Sequence, residues 1–414
     1  MTAKPNRIKG VDICRSFAIG LAMLSHVLVT FRIGLTGEGL IWIRFVMQMA
    51  PVVFIILFGS MLEIAYLPKF RQGEAEQAVK RLLLRSGQCY LLYALSVLAL
   101  MAAGHYSVPY GVRTIMLLGV TPFTDILKFY ALALLLAPAV IGMRWRFGLW
   151  PMVVGAFATQ ALYPLIAMIR LPVPEARKDY FGPPLGFLYG GSEADVGAPS
   201  LLHGMSLVLL GVVIGWCVSA FLQGDTRARR AALGWTLTIF LPALAVIIVC
   251  WTDTSQVLRG IVSLNIRNDN HPFYYALGTA STIAFLALCL LLFDVKQIGF
   301  ADGIRFLGNT SLFTFCFGNV LLYLQPWGLM ETRSVWLALV FSLLITAQSY
   351  VFAAMFKKGK LKDTWLANRT AAIIGVSDNV IRKVSDPLAM RALRSLGSSG
   401  NSKVNKVEGG STSV

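Results

Sequence analysis

The first apolar segment of the chain contains three ionisable residues, Asp12, Arg15 and His26. Arg15 and His26 are eleven positions apart, so a helix places both side chains on nearly the same face, about three turns from each other. A neutral imidazole can act as a general base on a hydroxyl group, and a guanidinium can bind phosphate in bidentate fashion. An ionisable side chain at the centre of a bilayer costs roughly 2.5–3.5 kcal/mol on insertion scales. The segment therefore predicts a polar cavity lined by protein.

Structural roles for the same residues stay open at this point. Arg15 can extend its guanidinium to the cytoplasmic interface, and Asp12 can cap the first helical turn. A histidine inside the membrane can also hydrogen-bond to a neighbouring helix. Glu63 is a further buried charge, and it needs a cationic partner that the sequence does not identify.

The composition is that of a polytopic membrane protein. Of the 414 residues, 56% are hydrophobic and 14% are charged, and the mean hydropathy is +0.67. Apolar stretches of about 18–25 residues, long enough to cross a hydrocarbon core of about 30 Å, recur along the chain. We therefore predict an all-α bundle of about ten transmembrane helices. The predicted spans are 11–33, 40–66, 82–103, 124–142, 147–169, 200–222, 232–251, 273–293, 306–325 and 334–356.

The distribution of positive charge predicts the orientation of this bundle. An even number of spans places both termini on one side, and the basic residues outside the spans lie mostly on that side. By the positive-inside rule, both termini are cytoplasmic and the protein is a multi-pass protein of the inner membrane. The net charge of +17 lies in short loops beside apolar helices, where orientation and anionic lipid explain it, so we expect no nucleic-acid partner.

The chain divides into three predicted regions. Residues 1–356 form the transmembrane domain, and 357–384 form a cytoplasmic juxtamembrane segment that lies along the membrane surface. Residues 385–414 are rich in Ser, Gly, Asn and Lys, which predicts a disordered tail. The six cysteines all fall in apolar spans and are read as small buried residues. The four histidines have no zinc-binding spacing, so no metal site is predicted.

Several short stretches resemble the acyltransferase 3 family of integral-membrane acyltransferases. Residues 7–15, which read RIKGVDICR, followed by Ser25 and His26, are similar to the opening of that family, including the ten residues between the arginine and the histidine. Residues 51–60 resemble the second helix of the family, and residues 80–85 resemble the basic start of its third helix, with one extra residue.

Two further stretches, 121–130 and 306–312, resemble the branch of the family that succinylates periplasmic glucans. The resemblance implies transfer of an acetyl or succinyl group from an acyl-coenzyme A donor to a hydroxyl of a cell-envelope glycan or glycolipid. It implies no permanently bound cofactor, because acyl-CoA is a substrate. The Arg and His spacing, supported by Asp12, is the specific part of the match.

The resemblance and the residue types together assign candidate roles. His26 is the candidate base, Arg15 is the candidate cation for the donor phosphates, and Asp12 is expected to orient Arg15 through an i,i+3 pair. Arg81 and Arg85, in the stretch that resembles the third helix, are further candidate donor contacts. The candidate substrate contacts lie at outer helix ends and are Lys128, Tyr130, Arg267 and His271. His271, before Pro272, can equally mark only the start of a helix.

Two other functions remain open from the sequence. A transporter or flippase for a glycan or lipid intermediate would use the buried charges as a translocation path. A relay subunit that moves acyl groups across the membrane for a separate transferase would share the same residues and differ in its acceptor.

Overall fold

The computed structural model of the protein describes residues 8–33, 38–168, 178–190, 199–299, 303–325, 333–357 and 360–397. Within these ranges the regular structure is helical and contains no strand. The all-α, multi-pass membrane architecture predicted from the composition is confirmed by eight helices that are long and apolar enough to cross a bilayer. The expected total of about ten spans is not confirmed.

The described residues contain eighteen helices, numbered here in chain order. They are α1 Lys9–Thr30, α2 Glu38–Met61, α3 Leu67–Arg71, α4 Ala75–Ala102, α5 Val108–Ile115, α6 Asp125–Phe147, α7 Trp150–Ala161, α8 Tyr163–Met168, α9 Lys178–Tyr189, α10 Leu201–Gln223, α11 Thr226–Cys250, α12 Thr254–Val262, α13 Asn265–Asn268, α14 Pro272–Leu290, α15 Arg305–Asn309, α16 Ser311–Tyr323, α17 Val335–Phe352 and α18 Trp365–Gly397. π-helical turns at Leu62–Tyr66, Leu291–Val295 and Ala353–Lys357 follow α2, α14 and α17.

Two of the predicted spans are broken into shorter helices. The span expected at 147–169 consists of α7 and α8, which are interrupted at Leu162 just before Pro164. Proline lacks an N–H, so Pro164 cannot donate the helical hydrogen bond to the carbonyl of Gln160, four residues before it. The span expected at 306–325 is split at Thr310, whose hydroxyl donates to the carbonyl of Phe306 at 2.8 Å. Such bonds let a threonine compete with the helical ladder.

Close packing of α2 against α10 forms the centre of the bundle. A side chain on Gly59 would collide with the carbonyl of Val208, and one on Gly211 would collide with the carbonyl of Ile56. Ser60 Oγ donates to the carbonyl of Gly211 at 2.9 Å across the same contact. Small residues and a hydroxyl at a helix contact are typical of association inside a bilayer. Helices α11 and α17, in contrast, lie at the periphery with little of their surface covered.

A buried ion pair joins α6 to the π-helical turn after α2. Arg144 donates from Nε to Glu63 Oε2 at 2.9 Å and from Nη2 to Oε1 at 2.8 Å. Both residues are buried, at 8% and 6% exposure. Arg144 is thus the cationic partner that Glu63 requires.

The last helix, α18, packs along α4. Gln88 donates from Nε2 to Asp378 Oδ1 at 2.7 Å, and Gly87 faces the side chain of Ile381. The predicted start of a disordered tail at residue 385 falls inside this helix, which continues to Gly397. Residues 385–397 include leucine, alanine and arginine, which are good helix formers, and Ala389 is fully buried. Residues 398–414 lie outside the described part of the chain.

Candidate functional site

His26 lies in a small aromatic chamber between α1 and α16. Its Nδ1 is 2.9 Å from Oδ1 of Asn319. Phe123 stacks on the imidazole with ring centroids 4.5 Å apart, and the edge of Phe315 approaches it at 5.3 Å. Tyr323 extends the stack, because its ring is parallel to that of Phe123 at 6.1 Å.

The hydrogen bonds of Asn319 determine which imidazole nitrogen carries the proton. Asn319 is fully buried, and its Nδ2 donates to the backbone carbonyl of Phe315 at 2.6 Å. A carbonyl can only accept, so the amide nitrogen faces Phe315 and the amide oxygen faces His26. Nδ1 of His26 therefore donates to that oxygen, and in the neutral ring Nε2 keeps the lone pair. This tautomer has a proton-accepting nitrogen directed away from Asn319.

Arg15 lies on the same helix as His26, because α1 is continuous from Lys9 to Thr30. The spacing predicted from the sequence therefore holds in the structure, at roughly 16 Å along the axis. Arg15, Arg81 and Arg85 all lie close enough to the Tyr66 hydroxyl to act on it electrostatically. Arg15 is half-buried, whereas Arg81 and Arg85 are exposed. The three arginines predicted to contact the donor thus lie in the same part of the structure, near the π-helical turn after α2. Their contact with a donor stays a prediction.

Asp12 forms an ion pair that links α1 to α15. Its Oδ2 is 3.3 Å from Nη2 of Arg305. Helix α15 brings Arg305 to this point, because the backbone N–H of Gly308 donates to Ser16 Oγ at 3.0 Å and fixes α15 against α1. That Asp12 also orients Arg15 stays a prediction.

Lys128 and Tyr130 both have partners inside the protein. Lys128 is fully buried, its Nζ donates to the carbonyl of Gly119 at 3.1 Å, and it lies 3.7 Å from Asp125 Oδ1. The hydroxyl of Tyr130 donates to the carbonyl of Phe54 at 2.9 Å. These contacts hold α6 against its neighbours, and a substrate role for either side chain stays a prediction.

Arg267 and His271 lie on the loop side of α14. Arg267 is within electrostatic range of His26 and of Asp125, and its buried Nε has no hydrogen-bond partner among the described residues. Arg267, a predicted substrate contact, is therefore near enough to act electrostatically on His26, and its contact with a substrate stays a prediction. A guanidinium with a free donor there can contact an anionic or hydroxylated ligand.

His271 caps the amino end of α14. Its Nδ1 accepts from the N–H of Phe273 at 3.2 Å, and its ring packs against Tyr163 at 5.5 Å. Burial lowers the pKa of His271, an effect that the nearby Asp269 carboxylate opposes. The structural role considered for this residue, the start of a helix, is confirmed.

The residues that sequence reasoning missed are those that complete the chamber. Asn319, Phe123, Phe315 and Tyr323 come from parts of the chain far from His26. A single amide inside the apolar helix α16 was the available signal, since a polar group there needs a partner. Among the described residues, no group of histidine, cysteine and carboxylate side chains could hold a metal ion.

Comparison of the chain with protein-family models and with curated proteins finds no match in either set.

Proposed function

We propose that this protein is a membrane acyltransferase that moves an acetyl or succinyl group from acyl-CoA to a hydroxyl of a cell-envelope glycan or glycolipid. The single observation that carries the proposal is the contact between His26 Nδ1 and Asn319 Oδ1, from which we infer that Nδ1 holds the proton and Nε2 keeps its lone pair. That arrangement suits a general base, which typically contributes about 10²–10⁴-fold to the rate. The proposal includes an inner-membrane location with both termini in the cytoplasm.

The proposed reaction needs no residue beyond the base for its proton balance. Nε2 of His26 takes the proton of the acceptor hydroxyl as the oxygen forms a bond to the thioester carbonyl carbon. The carbon–sulfur bond then breaks, the new ester leaves, and the coenzyme A thiolate recovers the proton from His26. Arg267, which acts electrostatically on His26, would contribute positive charge that favours the developing oxyanion.

The arginines around Tyr66 support binding of the donor. Coenzyme A carries its phosphates at one end and its thioester at the end of a long flexible arm. Arg15, Arg81 and Arg85 would bind the phosphates, and the arm would run along α1 to His26, roughly 16 Å away. The positive charge would thus meet the phosphate end of the donor, and the base would lie near its thioester end.

Replacement of His26 tests the base. We expect His26→Ala to insert and fold but to lower acyl incorporation by about 10²–10⁴-fold. The measurement is mass spectrometry of envelope glycans, which reads the loss of about 42 Da for acetyl or about 100 Da for succinyl esters of the hydroxyls that such a base activates. His203→Gln, another buried histidine of a membrane helix, is the matched control and should retain incorporation. Wild-type incorporation by His26→Ala would refute the proposal and favour a transporter or flippase, which needs no acyl donor.

Replacement of Arg15 tests the donor site. We expect Arg15→Ala to raise the KM for acyl-CoA by about tenfold, because a charge-assisted phosphate contact contributes about 1.5–3 kcal/mol. The KM for the acceptor should stay near its wild-type value. Arg369→Ala, an exposed arginine on α18 that packs over Trp365, serves as the control for a general loss of positive charge. Equal increases in both KM values would contradict the phosphate role.

A further inference from the structure

A second pocket lies between the carboxyl end of α1 and the first half of α2. Its volume is about 250 Å³, and it is lined by the apolar side chains of Leu28, Val29 and Met47 together with Ser25, Arg32 and Arg44. Ser25 directly precedes His26, so this pocket lies beside the chamber described above. His26 itself does not line it.

The two arginines of this pocket have no acidic partner among the described residues. Among the residues that the structure describes, neither Arg32 nor Arg44 has a hydrogen-bond or ion-pair partner. Two guanidiniums that line one small cavity repel each other, and an anion between them would relieve that repulsion. Arg32 is exposed and Arg44 is half-buried, so both guanidiniums are accessible to an incoming ligand.

The backbone at Arg32 gives a second, independent indication. The N–H of Ile33 donates to the carbonyl of Leu28, and the N–H of Arg32 donates to that of Val29, which together form a Schellman motif at the end of α1. Arg32 occupies the left-handed position of this motif, with φ of 51°. Glycine is strongly preferred there, and an L-residue costs roughly 1–2 kcal/mol. The arginine at this position therefore carries a backbone cost that glycine would avoid.

The surroundings of the pocket indicate a ligand that comes from the bilayer. Val29 and Val46 are 46% and 51% exposed on helices that cross the membrane, so apolar surface continues from the pocket to the lipid-facing side of α1 and α2. A phosphate attached to an acyl or prenyl chain would meet both guanidiniums with its head and this surface with its chain. Arginine binds phosphate in a bidentate geometry that suits such a head group.

We propose that the pocket formed by Ser25, Arg32 and Arg44 is a binding site for the phosphate group of a lipid. The site goes beyond the acyl transfer proposed above and does not require it. A bound lipid would contact the carboxyl end of α1 and Ser25, the residue before His26.

Lipid binding to the purified protein tests this site without any acyl donor. Native mass spectrometry in detergent would measure the affinity for dioleoyl phosphatidylglycerol, for dioleoylglycerol, which lacks the phosphate, and for inorganic phosphate, which lacks the chains. We expect the wild-type protein to bind phosphatidylglycerol about tenfold or more tightly than dioleoylglycerol, and not to release it when inorganic phosphate is added. Release by equimolar inorganic phosphate would overturn the lipid assignment.

Substitution of the two arginines completes the test. Arg32→Gln/Arg44→Gln should weaken phosphatidylglycerol binding by about tenfold or more, whereas Arg259→Gln/Arg333→Gln, which removes the same charge elsewhere, should not. Arg32→Gly keeps the left-handed backbone and removes only the guanidinium, so it should raise thermal stability while it weakens binding. Unchanged binding in both Arg32 variants, or an equal loss in the control, would refute the site. None of these results depends on the activity of His26, so failure here leaves the proposed acyl transfer standing.

Discussion

The substitution Glu63→Gln tests the buried ion pair between Glu63 and Arg144. Arg144 reaches both carboxylate oxygens of Glu63, at 2.8 and 2.9 Å, and both side chains are buried. Glutamine preserves the size and one acceptor oxygen but removes the negative charge. The guanidinium of Arg144 then remains in the interior without a counter-charge.

The expected loss follows from this geometry. Breaking a buried pair by removing one partner costs about 3–5 kcal/mol, because the remaining charge is buried and uncompensated. Glutamine still accepts one hydrogen bond, so we expect about 3 kcal/mol, the lower end of that range. The exposed pair of Lys80 and Glu76, at 2.7 Å, is the matched control. Glu76→Gln should cost under about 1 kcal/mol, as for other surface ion pairs.

Equilibrium unfolding by SDS in mixed micelles would measure these free energies, with tryptophan fluorescence and circular dichroism as the two signals. The double variant Glu63→Met/Arg144→Met leaves no unpaired charge, so it should be less destabilised than Glu63→Gln. If Glu63→Gln loses no more stability than Glu76→Gln, then Arg144 and Glu63 do not form the buried pair described above. A double variant less stable than Glu63→Gln would likewise contradict the reasoning.

Substitutions at two further positions, Asn319 and His271, test the chamber and the cap of α14. Asn319→Leu should lower kcat by about 10²-fold with little change in the KM for the acceptor, because the imidazole loses the group that holds its proton on Nδ1. Asn319→Asp keeps an acceptor oxygen, so it should restore part of kcat and shift the pH profile of kcat. An equal loss of kcat in both variants would mean that Asn319 only packs against the ring. Burial lowers the pKa of His271 in the folded state below the ordinary value of 6.5. As the pH falls below 6.5, the unfolded state therefore binds a proton before the folded state does, and the folded state loses stability. His271→Asn keeps a capping acceptor that does not titrate, and thermal unfolding between about pH 7.5 and 5 should then show a smaller loss at acid pH than in the wild type; an identical pH dependence would refute this role.

The number of membrane helices shows which features local sequence patterns predict and which they do not. Eight of the predicted spans are long apolar helices, because hydrophobic length alone determines whether a segment can cross a bilayer. The break before Pro164 and the break at Thr310 depend on single residues inside otherwise apolar stretches. The helix that continues past residue 385 depends on packing against α4, where Ala389 is buried.

The candidate site also has a part that the sequence predicts and a part that only the structure reveals. The common face of Arg15 and His26 was evident from the sequence, because both lie on one continuous helix whose period is constant. Asn319 is 293 positions from His26, and Arg305 is 293 positions from Asp12. Neither partner has any local signal that connects it to α1.

The amino-acid sequence by itself determined an all-α membrane protein and the line of ionisable residues along its first helix. The tertiary structure alone decided that Asn319 holds the proton of His26, that Asp12 pairs with Arg305, and that Arg144 neutralises Glu63. The physical reason is that helix period and hydrophobic length are properties of neighbouring residues. Partners on different helices are determined by how the helices pack, and that depends on contacts along the whole chain.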